Sequence, residues 1–419
     1  MSSQLKGACI FGQSGGPTAV INASMYGVVS AALASENITH VYGAQYGIKG
    51  VLEDKLFDMG AESAEELKLL LNTPSSELGS CRYKIAEPEE DDSDYKRILE
   101  VFKKYDVRYF FYNGGNDSMD TCNKISRYMS TVGYECRVIG VPKTIDNDLF
   151  GTDHCPGYGS AAKYIATSCM ELYKDTCVYS TGTVNVVEIM GRHAGWLAAS
   201  AALASYKGCG PDLVYLPERD FDMDSFCADV ERVYKEKGKA LVVASEGIHY
   251  ADGSFVSEAK TSSNDGFGHV QLGGLAVMLA SVLHQRIGVK VRGIELSLLQ
   301  RAAAHQASAT DIAEAEMAGR FAVESALSGV SGKMAAFGRA TEEGGQYRCV
   351  PTLIDLEDVA NREKTVPTEW INAEGNFVTE DFINYALPLI QGESDAVYED
   401  GLPRYAKLKK VYASQEVTV

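Results

Sequence analysis

The chain has 419 residues, 45% hydrophobic and 23% charged, enough for two or three packed cores and unlike a collagen, a coiled coil or a disordered polymer. Its 39 Lys and Arg against 57 Asp and Glu leave a net charge of −18, which disfavours broad adhesion to nucleic acid or anionic lipid and still permits a local basic pocket. Ten cysteines run from Cys9 to Cys349 without a CxxC pair, so reduced thiols are expected rather than a zinc cluster or a disulfide scaffold.

In chain order, short apolar runs end in glycine-rich or polar turns that lead into helix-compatible stretches. Residues 8–11 lead to Gly12-Gln13-Ser14-Gly15-Gly16-Pro17 and then to the small, apolar stretch 19–34. Backbone amides freed of side chains there, at a helix N-terminus, suit a phosphate, although alone the turn is equally compatible with plain βα geometry. The spacing matches neither GxGxxG nor GxxxxGK[ST], which disfavours a Rossmann dehydrogenase and a Walker NTPase. Residues 87–94 are acidic and read as a solvated surface loop. Residues 109–112 then lead to Gly114-Gly115-Asn116-Asp117-Ser118, and residues 138–141 to Pro142-Lys143-Thr144-Ile145-Asp146-Asn147-Asp148. In extended backbone Asp146 and Asp148 would point to one side, one carboxylate accepting a proton and the other holding Mg²⁺ or a partner. Lys143 beside them could neutralise a leaving phosphate.

Gly151, Pro156, Gly157 and Gly159 mark a candidate hinge in 148–159. Residues 184–189 lead to Met190-Gly191-Arg192-His193, where a guanidinium suits bidentate contact with phosphoryl oxygens. Further strands are expected at 213–215, 241–244 and 289–294. Arg82, Arg292 and Arg301, with Lys143, could complete a local cationic pocket. The whole reads as α/β, two doubly wound domains facing each other across a cleft, with the unusual residues at the carboxyl ends of strands. No run reaches the roughly 20 apolar residues of a membrane span, and residues 1–7 lack the apolar core of a signal peptide, so a cytoplasmic protein is expected, without membrane or nucleic-acid partners.

Gly15-Gly16, Gly79-Ser80-Cys81-Arg82, Gly114-Gly115-Asn116-Asp117-Ser118, Pro142-Lys143-Thr144-Ile145-Asp146-Asn147-Asp148, Met190-Gly191-Arg192, Glu246-Gly247 and Gln300-Arg301 stand in the order seen in phosphofructokinases, which this chain resembles from about residue 7 to about residue 340. The resemblance implies phosphorylation of O1 of fructose 6-phosphate in a cleft between two α/β domains. Residues 1–157 with about 300–345 would take the donor, 158–299 the sugar phosphate, and about 346–419 would be a C-terminal extension. It implies Asp146 as general base, Thr144 bonded to the phosphate or sugar, Arg192 on transition-state charge, and Asp148 holding Mg²⁺ with Asp117. Gly15, Gly16, Arg82, Gly115, Asn116, Asp117, Ser118 and Lys143 would bind the donor. Met190, Gly191, Glu246 and Arg301 would bind the sugar phosphate, and Arg292 would arrive across a subunit interface of a homodimer or homotetramer.

Two positions address the donor. ATP-dependent relatives typically carry GGDGS and PGTIDND, whereas pyrophosphate-dependent ones carry aspartate and lysine at the two variable glycines, here Asp117 and Lys143. An Asp side chain there intrudes on a nucleotide's α-phosphate and repels it, so pyrophosphate is the expected donor, in a reversible reaction. Three positions depart from the family pattern. Asn116 replaces a metal-associated aspartate, Thr183 stands near a position where bacterial ATP enzymes have an arginine, and Leu298 replaces a histidine. The last two leave a larger substrate such as sedoheptulose 7-phosphate as a candidate. Two rivals remain: an ATP-dependent enzyme tolerating Asp117, and a non-catalytic sugar-phosphate sensor, whose mark would be loss of Asp146 or Arg192.

Overall fold

A computed structural model describes residues 5–178, 180–257, 274–341 and 346–413. Strands β1 (Gly7–Gln13), β2 (Ile38–Ala44), β3 (Leu56–Asp58), β4 (Val107–Gly114), β5 (Arg137–Pro142), β6 (Thr183–Ile189), β7 (Leu213–Tyr215), β8 (Ala240–Ser245), β9 (Lys290–Glu295), β10 (Lys333–Thr341) and β11 (Tyr347–Asp355) form two sheets. The larger has the order β11-β10-β5-β4-β1-β2-β3, parallel except for its two edge strands. The smaller has the order β7-β8-β6-β9 and is parallel throughout.

The central strands are buried along their whole length: every residue of β1, β6 and β8 is inside, as parallel strands covered on both faces require. In the larger sheet the chain leaves β1 toward β2 on one side and resumes with β4 on the other. The crevice beyond the carboxyl ends of β1 and β4 is therefore the topological switch point, and the turns 14–17 and 114–118 open into it. In the smaller sheet β6 lies between β8 and β9, so the turn after β6 and Glu246 after β8 share that sheet's carboxyl edge.

The stretch 148–159, expected as a hinge, is a crossover with little freedom. Residues 154–162 are buried, and Gly157 and Ser160 donate their N–H groups to the Asp311 carboxylate at 2.9 Å each. Asp311 thereby caps the helix Tyr158–Thr176 from the first turn of the helix Ala309–Leu327. Asp153 forms a forked ion pair with Arg339 of β10, at 2.9 to 3.2 Å. Gly157 has φ +108°, and an added Cβ there would come within 2.7 Å of Thr18. In the acidic stretch 87–94 most residues are exposed, but Glu87 pairs at 3.0 Å with the buried Lys124 ammonium, and the helix Ser93–Lys104 begins inside it.

Strand β11 lies at the edge of the larger sheet, antiparallel to β10. The chain beyond it runs to the other core, where Phe382, Tyr385, Ala386 and Leu389 are buried with Trp196, Leu197 and Val214. The segment 359–366 crosses the rim of the cleft on the way.

Candidate active site

The carboxyl edges of both sheets line one cleft of about 670 Å³. It brings together Gly15, Gly16, Arg82, Gly115, Asn116, Asp117, Ser118, Lys143, Thr144, Asp146, Asp148, Met190, Arg192, Glu246 and Arg301, fifteen positions singled out from sequence. Gly191 and Arg292 do not line it.

One side of the cleft is built on two turns. Gly15 adopts φ +73°, open to glycine without strain, and an added Cβ would come within 3.3 Å of Lys143 Nζ. Lys143 itself is buried and donates from Nζ to the Gly16 carbonyl, so its ammonium spans the mouth of that turn. Arg301 approaches the same turn, with a guanidinium nitrogen 3.0 Å from where a Gly16 Cβ would be. Opposite, the helix Asn116–Thr131 starts at Gly115, which offers no side-chain cap and whose carbonyl takes the Ser118 and Met119 N–H groups at 3.0 Å each, with Asp117 in the first turn lining the cleft. Asp117 is about 4.0 Å from Lys84. Asn116, in the amide orientation that satisfies its neighbours, donates to the carbonyls of Arg362 and Val359 at 3.0 and 3.2 Å. Its side chain therefore fastens the 359–362 segment.

The loop carrying the two aspartates departs from the expected extended geometry. Asn147 has φ +55°, so the chain bends between the two aspartates instead of alternating. The Asn147 amide holds the bend, donating to the Tyr385 hydroxyl at 2.8 Å and accepting from the Cys155 N–H at 2.9 Å. Asp146 and Asp148 reach the same cleft through this left-handed residue and not through strand periodicity. Thr144 Oγ1 accepts the Asp146 N–H at 3.1 Å and lies 3.5 Å from its carboxylate, which fixes the carboxylate's direction. Gly191, expected among the substrate contacts, makes the turn. Its φ is +135°, an added Cβ would meet the Ala194 carbonyl at 2.6 Å, and its N–H donates to Glu246 at 3.3 Å. Arg292 lies on the edge strand β9, half exposed and 4.0 Å from Asp175, outside this chain's cleft.

Electrostatics are poised near neutrality. Burial, reinforced by Arg301 and Arg82, pushes the Lys143 ammonium down to about 7, against the attraction of Asp146. Burial, with the charges of Asp146 and Glu363, pushes Asp148 up to about 7. Burial raises Asp146 against the pull of Lys143, and lifts Glu246 to about 7 against the Gly191 N–H. A bound anion and a bound cation would each reverse part of this, because each supplies the countercharge that burial denies.

Linkage gives a prediction. Folded Asp148 keeps a proton that the unfolded chain sheds above about pH 4, so its contribution to stability is largest at low pH and falls as pH rises toward about 7. Asp148→Asn removes the buried charge. It is expected to raise Tm at pH 8 in metal-free buffer by roughly 2 °C, a gain that disappears by about pH 4. Thermal melts of both chains across that range check it, and equal melting points at pH 8 would contradict it.

Sequence reasoning missed Lys84, Asn361 and Glu363 and left His193 unassigned, yet all four line the cleft. Lys84 follows Arg82 without a motif. Asn361 and Glu363 come from the tail, and nothing in their local sequence marks a site.

The phosphofructokinase family model matches residues 9–324. The pyrophosphate–fructose 6-phosphate 1-phosphotransferase of Halomonas elongata is 47% identical over 405 residues, 96% of each chain, and that of Xanthomonas campestris 45% identical over 418 residues, 98% of each. The crystal structure of the pyrophosphate-dependent phosphofructokinase from Marinobacter aquaeolei superposes with a TM-score of 0.87 at 41% identity, covering 99% of this chain and 98% of that one. No helix among the described residues is long and apolar enough to cross a membrane. The likeness to those proteins runs over nearly the whole chain in both sequence and fold, and this chain belongs to the phosphofructokinase family.

Proposed function

We propose that the chain transfers a phosphoryl group from pyrophosphate to O1 of fructose 6-phosphate, giving fructose 1,6-bisphosphate and phosphate, and that it runs in both directions. The observation that carries the donor is the pair Asp117 and Lys143: a carboxylate in the first turn of the donor helix and a buried ammonium across the Gly15–Gly16 turn. A nucleotide's α-phosphate would have to pass the carboxylate, and like charges brought together cost several kcal/mol. Pyrophosphate ends where that obstruction begins, and its charge would restore the proton that burial takes from Lys143.

In the forward direction Asp146 accepts the O1 proton as O1 forms its bond to the phosphorus. The bond from that phosphorus to the bridging oxygen breaks, and the phosphate leaves toward Lys143. Thr144 aims the Asp146 carboxylate, and Arg192 offsets charge on the oxygens in transfer. Glu246 and Met190 would face the sugar, and Arg301, whose guanidinium here lies beside Gly16, would turn away from that glycine to grip the 6-phosphate. Segments 1–157 with about 300–345 serve the donor and 158–299 the sugar phosphate. Arg292 would act only in a second copy's cleft, which makes the working unit a homodimer or homotetramer.

Mg²⁺ fits the oxygen donors present: Asp117 and Asp148 both line the cleft, whereas Asn116 is committed to carbonyls of the tail. When bound, the ion would neutralise pyrophosphate oxygens in transfer. The reaction and the resemblance together support a cytoplasmic enzyme of sugar breakdown and synthesis.

A donor-swap assay with Mg²⁺ tests this reading. Pyrophosphate is expected to support a kcat/KM about 10²-fold or more above that with ATP, the ratio for a repulsion of about 3 kcal/mol. Robust turnover with ATP and none with pyrophosphate would overturn it, and binding of fructose 6-phosphate without transfer from either would favour the sensor.

A further inference from the structure

The tail segment 359–366 is fastened to both sides of the cleft. The Lys364 N–H donates to the Asp148 carbonyl at 2.7 Å, and Glu363 bridges Leu149, so the segment lies against the loop that carries both aspartates. The Lys364 ammonium donates to the carbonyls of Thr152 and Asp153 at 3.0 and 2.8 Å, and its carbonyl accepts the Trp196 indole N–H at 2.9 Å. One oxygen of Glu218 takes both the Val366 N–H, at 2.9 Å, and the Gly195 N–H, at 2.8 Å, locking the tail to the turn after Arg192. These bonds hold Glu363 beside His193, whose Nδ1 lies 3.2 and 3.1 Å from the two carboxylate oxygens. His193 follows Arg192, and its half-exposed ring lines the cleft.

We propose that His193 is a further catalytic residue, donating from Nε2 to an oxygen of the phosphoryl group in transfer, and that Glu363 is the positioning residue that fixes its ring and keeps the Nδ1 proton. The proposal rests on the phosphoryl-transfer reading above. A carboxylate on Nδ1 keeps that proton and fixes the ring's orientation, and because it also stabilises the imidazolium it leaves Nε2 protonated, the form in which the second nitrogen donates. The charges facing the ring agree: Glu363 holds the imidazole above its usual range with help from Asp148, while burial and Arg192 oppose it. Arg192 and His193 both line this cleft.

The test uses the full chain with His193→Ala, Glu363→Gln and the double variant. His193→Ala is expected to lower kcat by about 10²-fold, as for loss of one transition-state donor, with little change in KM for fructose 6-phosphate. Glu363→Gln is expected to lower kcat roughly 10-fold in the native background and much less in the His193→Ala background, because it acts mainly through the ring and only secondarily through its charge on Asp148. Added imidazole is expected to restore part of the His193→Ala rate. An unchanged kcat in His193→Ala, or the same Glu363→Gln loss in both backgrounds, would overturn the proposal. If the native chain used ATP and not pyrophosphate, the donor assignment would fail, and the same variants assayed with ATP would still decide the pair.

Discussion

Asp146→Asn is expected to lower kcat by between about 10² and about 10⁴-fold, the range for removing a positioned general base, while fructose 6-phosphate still binds. The amide keeps the shape of the side chain and the bond to Thr144, but it cannot take the O1 proton. Glu246, Met190 and Arg301, the proposed sugar-phosphate contacts, are untouched by the substitution, so the loss is expected in kcat and not in the sugar's KM. The pH profile gives a second readout. Burial raises Asp146 above the usual carboxylate range, so activity in the native chain is expected to fail on the acid side at a higher pH than an exposed aspartate would give. That limb should vanish from the residual activity of Asp146→Asn. Near-native turnover by the variant in either direction would remove Asp146 from the role of base.

The parts of this site that were legible in sequence are those where chemistry leaves a local mark. Gly15, Gly191 and the first-turn Asp117 stand at strand ends because turns need glycine and helix starts leave N–H groups free. The burial of β1, β6 and β8 made their apolar runs visible, whereas β2 (Ile38–Ala44) hides two exposed residues, Thr39 and His40, among buried ones, and β3 is only three residues long. Strands β10 and β11 went unread because a long antiparallel pair at a sheet edge carries mixed burial and no turn motif. The bend at Asn147 was missed for another reason. Asparagine adopts the left-handed region more readily than most residues, but Asn147 is held there by the Tyr385 hydroxyl, more than two hundred residues away, as well as by the Cys155 N–H, and the distant partner leaves no local pattern. Glu363 belongs to the same class: it reaches the cleft because Asn116, Asp148, Trp196 and Glu218 each hold the tail.

Asp117→Gly combined with Lys143→Gly is expected to shift the ratio of kcat/KM for ATP over pyrophosphate by about 10²-fold or more, with most of the change divided between two causes. Replacing Asp117 removes a carboxylate at the N-terminus of the helix Asn116–Thr131 and opens the volume that an α-phosphate needs. Replacing Lys143 withdraws the ammonium that rests on the Gly16 carbonyl, and with it the cation that would meet the departing phosphate. Asp117→Gly alone should admit ATP while sparing much of the pyrophosphate activity, whereas the double variant should lose about 10²-fold in pyrophosphate turnover as well. Lys143 also attracts Asp146, so its removal lifts the base further above the usual range and should move the acid limb to higher pH. This shift would be absent from Asp117→Gly alone, so the two substitutions can be told apart by the pH profile as well as by the donor. An unchanged donor preference in the double variant would show that the obstruction lies elsewhere, and the tail residue Asn361, whose φ of +61° carries it into the same cleft, would be the next position to replace.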